Sequence, residues 1–304
     1  MTTGSSPVEA RKGVLFALAA YGVWGLFPAF WKLMAELPPP EILAYRVVWT
    51  VVVVLALVSW DRRWGEVLAL LAIRRHVAVL AASTLCISVN WLVFIAAVGR
   101  GNVLEASMGY FLNPLVNVAL GVLVLKERLR PLQWLAVGLA VAGVAQLAIV
   151  TGSPPWVALI LAVTFGVYGL LRKRLPVAPL TGLTVETALM LPFALVYLGW
   201  RLMDGAAFMG GGGTVAVALV ACGPVTALPL IWFAAAASRM RYATLGFFQY
   251  MAPTGHFLLA VLVYGEVAGA AHMITFACIW AAIALYTVDS VVVGYRRESG
   301  GVPR

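Results

Sequence analysis

The chain has 304 residues, of which 63% are apolar and only 11% charged, with a formal net charge of +9. A water-soluble domain carries roughly 45–50% apolar and about 25% charged residues, so an ordinary soluble globule is excluded. The positive charge is no nucleic-acid footprint either, because it gathers at the ends of apolar runs, where it sets membrane topology.

A transmembrane helix needs about 20 predominantly apolar residues, because a rise of about 1.5 Å per residue must cross about 30 Å of hydrocarbon. Ten runs qualify in chain order: 13–33, 41–59, 77–98, 103–125, 131–150, 155–171, 181–200, 214–238, 242–264 and 270–293. None shows the period-two alternation of a barrel strand, and hydrocarbon requires every backbone donor and acceptor to be satisfied within the segment, so helices are expected. Arg11 and Lys12 open a run of about 21 apolar residues with no small-x-small cleavage site after it, which reads as a first span rather than a signal peptide. Cys86, Cys222 and Cys278 fall inside spans, odd in number and without metal-type spacing, so neither a disulfide framework nor a metal site is expected.

With the N-terminus inside, seventeen of the twenty-one Lys and Arg residues fall on the cytoplasmic side, including Arg172, Lys173 and Arg174. Only Lys32, Arg100 and Arg201 fall outside, and Arg46 lies within the second span. The positive-inside rule therefore predicts that both termini are cytoplasmic.

The chain also repeats itself. "YGVWGLFPAF" (21–30) returns as "FGVYGLLRKR" (165–174), "FIAAVGR" (94–100) as "FAAAASR" (233–239), and "SMGYFLNP" (107–114) as "TLGFFQYMAP" (244–253). Pro114 precedes Glu127 by thirteen positions, and Pro253 precedes Glu266 by thirteen. These echoes pair spans one to five with six to ten, and because five is odd the second copy must enter from the opposite side. The expected organisation is a cytoplasmic tail (1–12), two inverted five-helix repeats (13–150 and 151–294) around a central cavity, and a second tail (295–304). Exchanging the conformations of two such halves would expose a midplane cavity to each side in turn, which makes a carrier the leading function class.

"EILAYRVVW", "LEASMGYFLNPLVNVALGVLVLKERLRPLQW" and "TGLTVETALMLP", with the phrases already quoted, resemble the RarD branch of the EamA-type drug/metabolite transporters over residues 11–297. The resemblance implies a ten-helix permease of the bacterial inner membrane whose central cavity is lined by spans one to four and six to nine, with the fifth and tenth peripheral. That branch is named for chloramphenicol sensitivity, and its relatives include exporters of amino acids and other metabolites.

The residues that could contact a solute are the polar and aromatic ones at mid-depth: Tyr21, Trp24, Asn90, Tyr110, Asn113, Tyr168, Gln249, Tyr250 and His256. Pro114 and Pro253 should kink their helices and free the carbonyls of Tyr110 and Gln249 for hydrogen bonding. The same side chains would equally serve to heal the kinks or tie helices together. Arg46 and Glu186 stand at equivalent places in the two halves but enter from opposite faces, leaving roughly 15 Å between them along the normal of a 30 Å core. The expected partners are Glu105 for Arg46 at an outer gate and Arg239 for Glu186 at an inner one, the two pairs forming alternately as each mouth closes. Glu127 and Glu266 are read as structural acids facing the N-terminus of the next helix.

Among other classes, direct ATP drive within the chain is disfavoured because GxxxxGK[ST] does not occur. An intramembrane enzyme is disfavoured because His76, His256 and His272 are dispersed and HExxH does not occur. A non-transporting component or lipid scramblase would call for a lipid-facing polar groove or a large soluble domain. The expected partners are thus a small-molecule substrate, the bilayer and, for coupling, protons, with no cofactor and no nucleic acid. Efflux of chloramphenicol-like compounds is the alternative within the carrier class.

Overall fold

The computed structural model describes residues 7–126, 129–173, 175, 177–237, 239 and 248–299. These are helical, with no strand among them. Eight helices are long and apolar enough to cross a membrane, and two shorter apolar helices accompany them. Large apolar side chains such as Leu123, Ile149, Phe193 and Leu262 face outward at 74–80% exposure. Water would reject such a surface; lipid solvates it. The protein is an integral membrane protein.

The first span is broken: α1 (Pro7–Gly25) is followed by α2 (Phe27–Lys32). Pro28 is the cause, because it cannot donate to the carbonyl of Trp24 four residues back. Then come α3 (Pro39–Trp60), a short α4 (Trp64–Leu71), α5 (Arg74–Gly99), α6 (Val103–Leu125) and α7 (Pro131–Thr151). The short α4 lies where the sequence shows only a loop, and Val67 and Leu70 bury its inner face. The rest of the chain forms α8 (Trp156–Lys173), α9 (Pro179–Met203), a 3-10 turn (Phe208–Gly211), α10 (Gly213–Ala237), α11 (Met251–Leu258) and α12 (Ala270–Ser299). Pro114 sits inside α6, which stays helical through it. Pro253 lies not at mid-helix but in the first turn of α11, where a missing N–H leaves no helical bond unmade. The expected ninth span begins at 242, outside the described residues; its described apolar helical part runs Met251–Val263 and ends in a π turn, Leu259–Val263.

The contacts between helix ends fix which ends lie together. At one end, where α3, α6, α8 and α10 begin, Arg201 near the end of α9 pairs with Glu41 of α3 at 3.0 Å. At the opposite end, where α1, α5 and α9 begin, Glu66 of α4 accepts a 2.9 Å hydrogen bond from Thr181 of α9. Arg63, its first and strongest partner, together with Thr181, holds the Glu66 carboxyl below the usual carboxylate range. At that end too Glu9 binds Arg239 at 3.0 Å. Within the bundle α3 packs on α9 and α10, α1 on α10 and α11, and α8 on α5 and α6. α7 and α12 pack chiefly on each other and are the least buried spans, 22% each against 39–50% elsewhere.

Small residues decide how closely helices approach. A Cβ at Gly223 of α10 would collide with the Trp49 carbonyl of α3, and one at Gly255 of α11 would lie 2.9 Å from Gly25 of α1. Gly223→Ala is therefore expected to cost about 1–3 kcal/mol, the usual penalty for overpacking. Gly22→Ala, where nothing lies within 4 Å, should be neutral or stabilising. Thermal unfolding of the two variants in detergent checks the contrast.

Candidate functional site

The middle of the bundle holds a chain of polar contacts drawn from both halves of the sequence. Tyr110 of α6 donates from its hydroxyl to Asn90 Oδ1 of α5 at 3.0 Å. The Asn90 amide then donates to Thr164 Oγ1 and to the Leu161 carbonyl of α8, both at 3.0 Å. Phe94 and Tyr110 lie against the His256 ring, with centroids 5.1 and 5.6 Å away. One turn before Tyr110, Ser107 donates to the Pro253 carbonyl at 2.8 Å.

His256 is 3% exposed, and its Nε2 lies 2.9 Å from the Trp24 carbonyl. That carbonyl is the one Pro28 deprives of its helical donor, so His256 of the second half satisfies a defect in the first. A carbonyl only accepts, which assigns the proton to Nε2 and leaves Nδ1 an acceptor; Nδ1 is buried with no partner among the described residues.

Toward the end where α9 begins, Glu186 is almost fully buried and is held by Ser83 at 2.6 Å and by the Tyr168 hydroxyl at 3.4 Å. Arg172 approaches it at 3.8 Å. The Arg172 guanidinium rests against Gly182, where any Cβ would occupy the same space.

Arg46 occupies the other half of the depth. It is 2% exposed and donates from Nε to Thr226 Oγ1 of α10 at 3.1 Å. Its guanidinium carbon stands 3.7 Å from the Trp91 ring centroid, 4.9 Å from that of Trp31 and 6.0 Å from that of Phe27. Such stacking suits a desolvated guanidinium.

Of the residues expected from sequence, Asn90, Tyr110 and His256 come together, and Tyr168 joins Glu186. Trp24 contributes its carbonyl to the first group, while its ring packs on Tyr21 and Phe233 at 5.1 and 5.9 Å. Asn113 is buried one turn along α6 with its Oδ1 unpartnered among the described residues. Gln249 and Tyr250 are half-buried in the turn before α11.

Neither expected gate pair is formed. Glu105 instead accepts the free Val157 amide of α8 at 2.9 Å, and Arg239 binds Glu9. An acid at a helix N-terminus meets unsatisfied N–H groups and the positive end of the dipole, which is why α8 draws Glu105 away from Arg46. Glu266 serves α6 rather than the next helix, accepting the Val103 and Leu104 amides at 2.8 and 2.7 Å. Gly265, with φ of +65°, makes the turn that carries it there. Glu127 lies outside the described residues.

Sequence reasoning missed Ser83, Trp91, Thr164 and Thr226, and took Arg172 only as a topology signal. The hydroxyls inside apolar spans were the available clue, since a lone hydroxyl in hydrocarbon needs a partner.

Residues 11–149 match the EamA-like transporter family. "Protein RarD" of Salmonella typhi is 48% identical over 285 residues, covering 93% of this chain and 97% of its own length. "Protein RarD" of Escherichia coli is 46% identical over 93% of this chain and 96% of its own. "Chloramphenicol-sensitive protein RarD" of Pseudomonas aeruginosa is 34% identical over 96% and 98%. A solved crystal structure matches the fold with a TM-score of 0.57 and 22% identity, over 93% of this chain and 99% of that one. The chain is thus an EamA-like transporter family member. Within that class, the chain belongs to the RarD family.

The His256 contact yields a thermodynamic test. His256→Phe leaves the Trp24 carbonyl unsatisfied and should cost about 1–3 kcal/mol. In a Pro28→Ala background the new N–H can take that carbonyl, so the same substitution should cost less. A double-mutant cycle on thermal unfolding in detergent reads the difference.

Proposed function

We propose that the protein is a secondary carrier of the inner membrane that moves a small amphipathic metabolite, amino acid or drug-like solute by alternating access. Both termini are cytoplasmic, and residues 13–150 and 151–294 are inverted five-helix repeats with α11 as part of the ninth of ten spans. The observation that carries the reading is that the mid-depth polar contacts are built across the two halves. Asn90 with Thr164, Ser107 with the Pro253 carbonyl, and Trp24 with His256 each join one repeat to the other.

The packing supports the same symmetry. Exchanging the halves maps α1 against α10 onto α8 against α5, and both contacts exist. It also maps α3 against α10 onto α9 against α5, and there the first contact is far more extensive than the second. Unequal versions of equivalent contacts are what a carrier caught in one of two exchanging conformations presents. Cross-half contacts of about 0.6 kcal/mol each can be exchanged without unfolding the bundle.

The name of the Pseudomonas aeruginosa relative, a chloramphenicol-sensitive protein, favours a second version of this reading, in which chloramphenicol-like compounds are among the solutes. Reconstitution separates the possibilities. Proteoliposomes loaded with amino acids, aromatic metabolites or chloramphenicol, with and without a pH gradient, should show protein-dependent flux for at least one solute. Folded protein that moves none of them under either condition would contradict the carrier.

A further inference from the structure

A charge at the centre of a span costs about 2.5–3.5 kcal/mol on insertion scales, and buried cations ordinarily meet an acid or a wet cavity. Arg46 meets no acid: among the described residues no carboxylate oxygen lies within 4.0 Å of it. Its Nη1 is buried without a hydrogen-bond partner among the described residues. So is Nε1 of Trp31, the ring against which the guanidinium stacks, and so is the hydroxyl of Thr50, one turn along α3 from Arg46. Two N–H groups, one of them charged, are left without acceptors beside aromatic faces.

This is a donor set without its acceptor. Hydrogen bonding from Arg Nε to Thr226 fixes the plane of the guanidinium, and Trp91 holds it from one side. What remains to be satisfied is Nη1 and Nε1, which a carboxylate with two oxygens would satisfy together. There is also an approach. A cleft at the end where α3 begins is lined by Trp31, Ile42, Ile95 and Arg100, among others. Trp31 is thus shared between the cleft and Arg46, and Ile42 lies one turn before Arg46 on α3. Arg100 places a second positive charge on the approach, which raises the local concentration of an anion.

We propose that Arg46 and Trp31 form the carboxylate-binding subsite of the protein, and that its ligand is a small monocarboxylate whose apolar or aromatic body lies in the cleft against Ile42 and Ile95. The subsite deepens the carrier reading by naming the charge of its solute, and it rests on that reading only for the consequence that the ligand is moved. Thr226 is a positioning residue, holding the guanidinium from the α10 side.

The test uses the purified full chain in detergent at neutral pH, with phenylacetate as the probe and the neutral phenylacetamide as its isostere. Thermal unfolding against ligand concentration gives both affinities. Phenylacetate is expected to stabilise the protein and phenylacetamide to do so at least about tenfold more weakly, the ratio that one charge-assisted hydrogen bond supplies. Trp31→Phe keeps an aromatic face but removes the Nε1 donor together with the five-membered part of the indole, so it should weaken phenylacetate about tenfold and phenylacetamide by less. Arg46→Lys keeps the charge but loses the planar fork, and should weaken phenylacetate by a similar factor. Equal affinity for acid and amide, no stabilisation by phenylacetate, or a Trp31→Phe variant that is folded and binds phenylacetate as tightly as the parent would each overturn the subsite. Binding with these properties but without flux in proteoliposomes would leave the subsite standing and count against the carrier alone.

Discussion

In hydrocarbon, a polar group that loses its partner cannot turn to water, and the structure is organised around that constraint. Pro28 creates the first debt by leaving the Trp24 carbonyl without a helical donor, and His256 settles it from the far half of the chain. The free amides that open α6 and α8 create others, met by Glu266 and Glu105. Each solution joins segments that are distant in sequence. The helices are therefore tied at their ends and middles by contacts that each meet an otherwise unsatisfied group, while close approach of glycines sets their spacing.

The same constraint explains how much of the molecule was legible in its sequence. Long apolar runs have one outcome in a bilayer, so the helices at 41–59, 77–98 and 131–150 could be placed from composition alone. The break after Gly25 was legible in principle, because Pro28 is visible in the chain, but an unbroken apolar run hides it. Side-chain pairing was less accessible. Depth in the membrane put Arg46 level with Glu105, yet depth says nothing about which competing partner is nearer, and a helix N-terminus outbid the arginine. Thr226 and Trp91 carry no charge pattern that would announce them. Their role follows from the crossing of α3 with α10 and α5, which no local signal encodes.

Two ionisable residues inside spans are treated differently, and the difference bears on function. Glu186 is enclosed by donors: Ser83, the Tyr168 hydroxyl and Arg172, the last seated over Gly182. It reads as a completed contact near one end of the bundle. Arg46 has aromatic faces and one hydroxyl but, among the described residues, no anion. On the carrier proposed above, contacts of the first kind would hold one arrangement of the halves together and a site of the second kind would be completed by cargo.

The inverted relation of the halves is the central claim, and it is tested most directly by sidedness. Leu33 and Val177 are 144 positions apart, the spacing of the sequence repeat, and should lie on opposite faces of the membrane. In a background with Cys86, Cys222 and Cys278 replaced, Leu33→Cys should react with a membrane-impermeant thiol reagent in intact cells. Val177→Cys should react only after the membrane is permeabilised. Labelling of both positions from the same side would contradict the account.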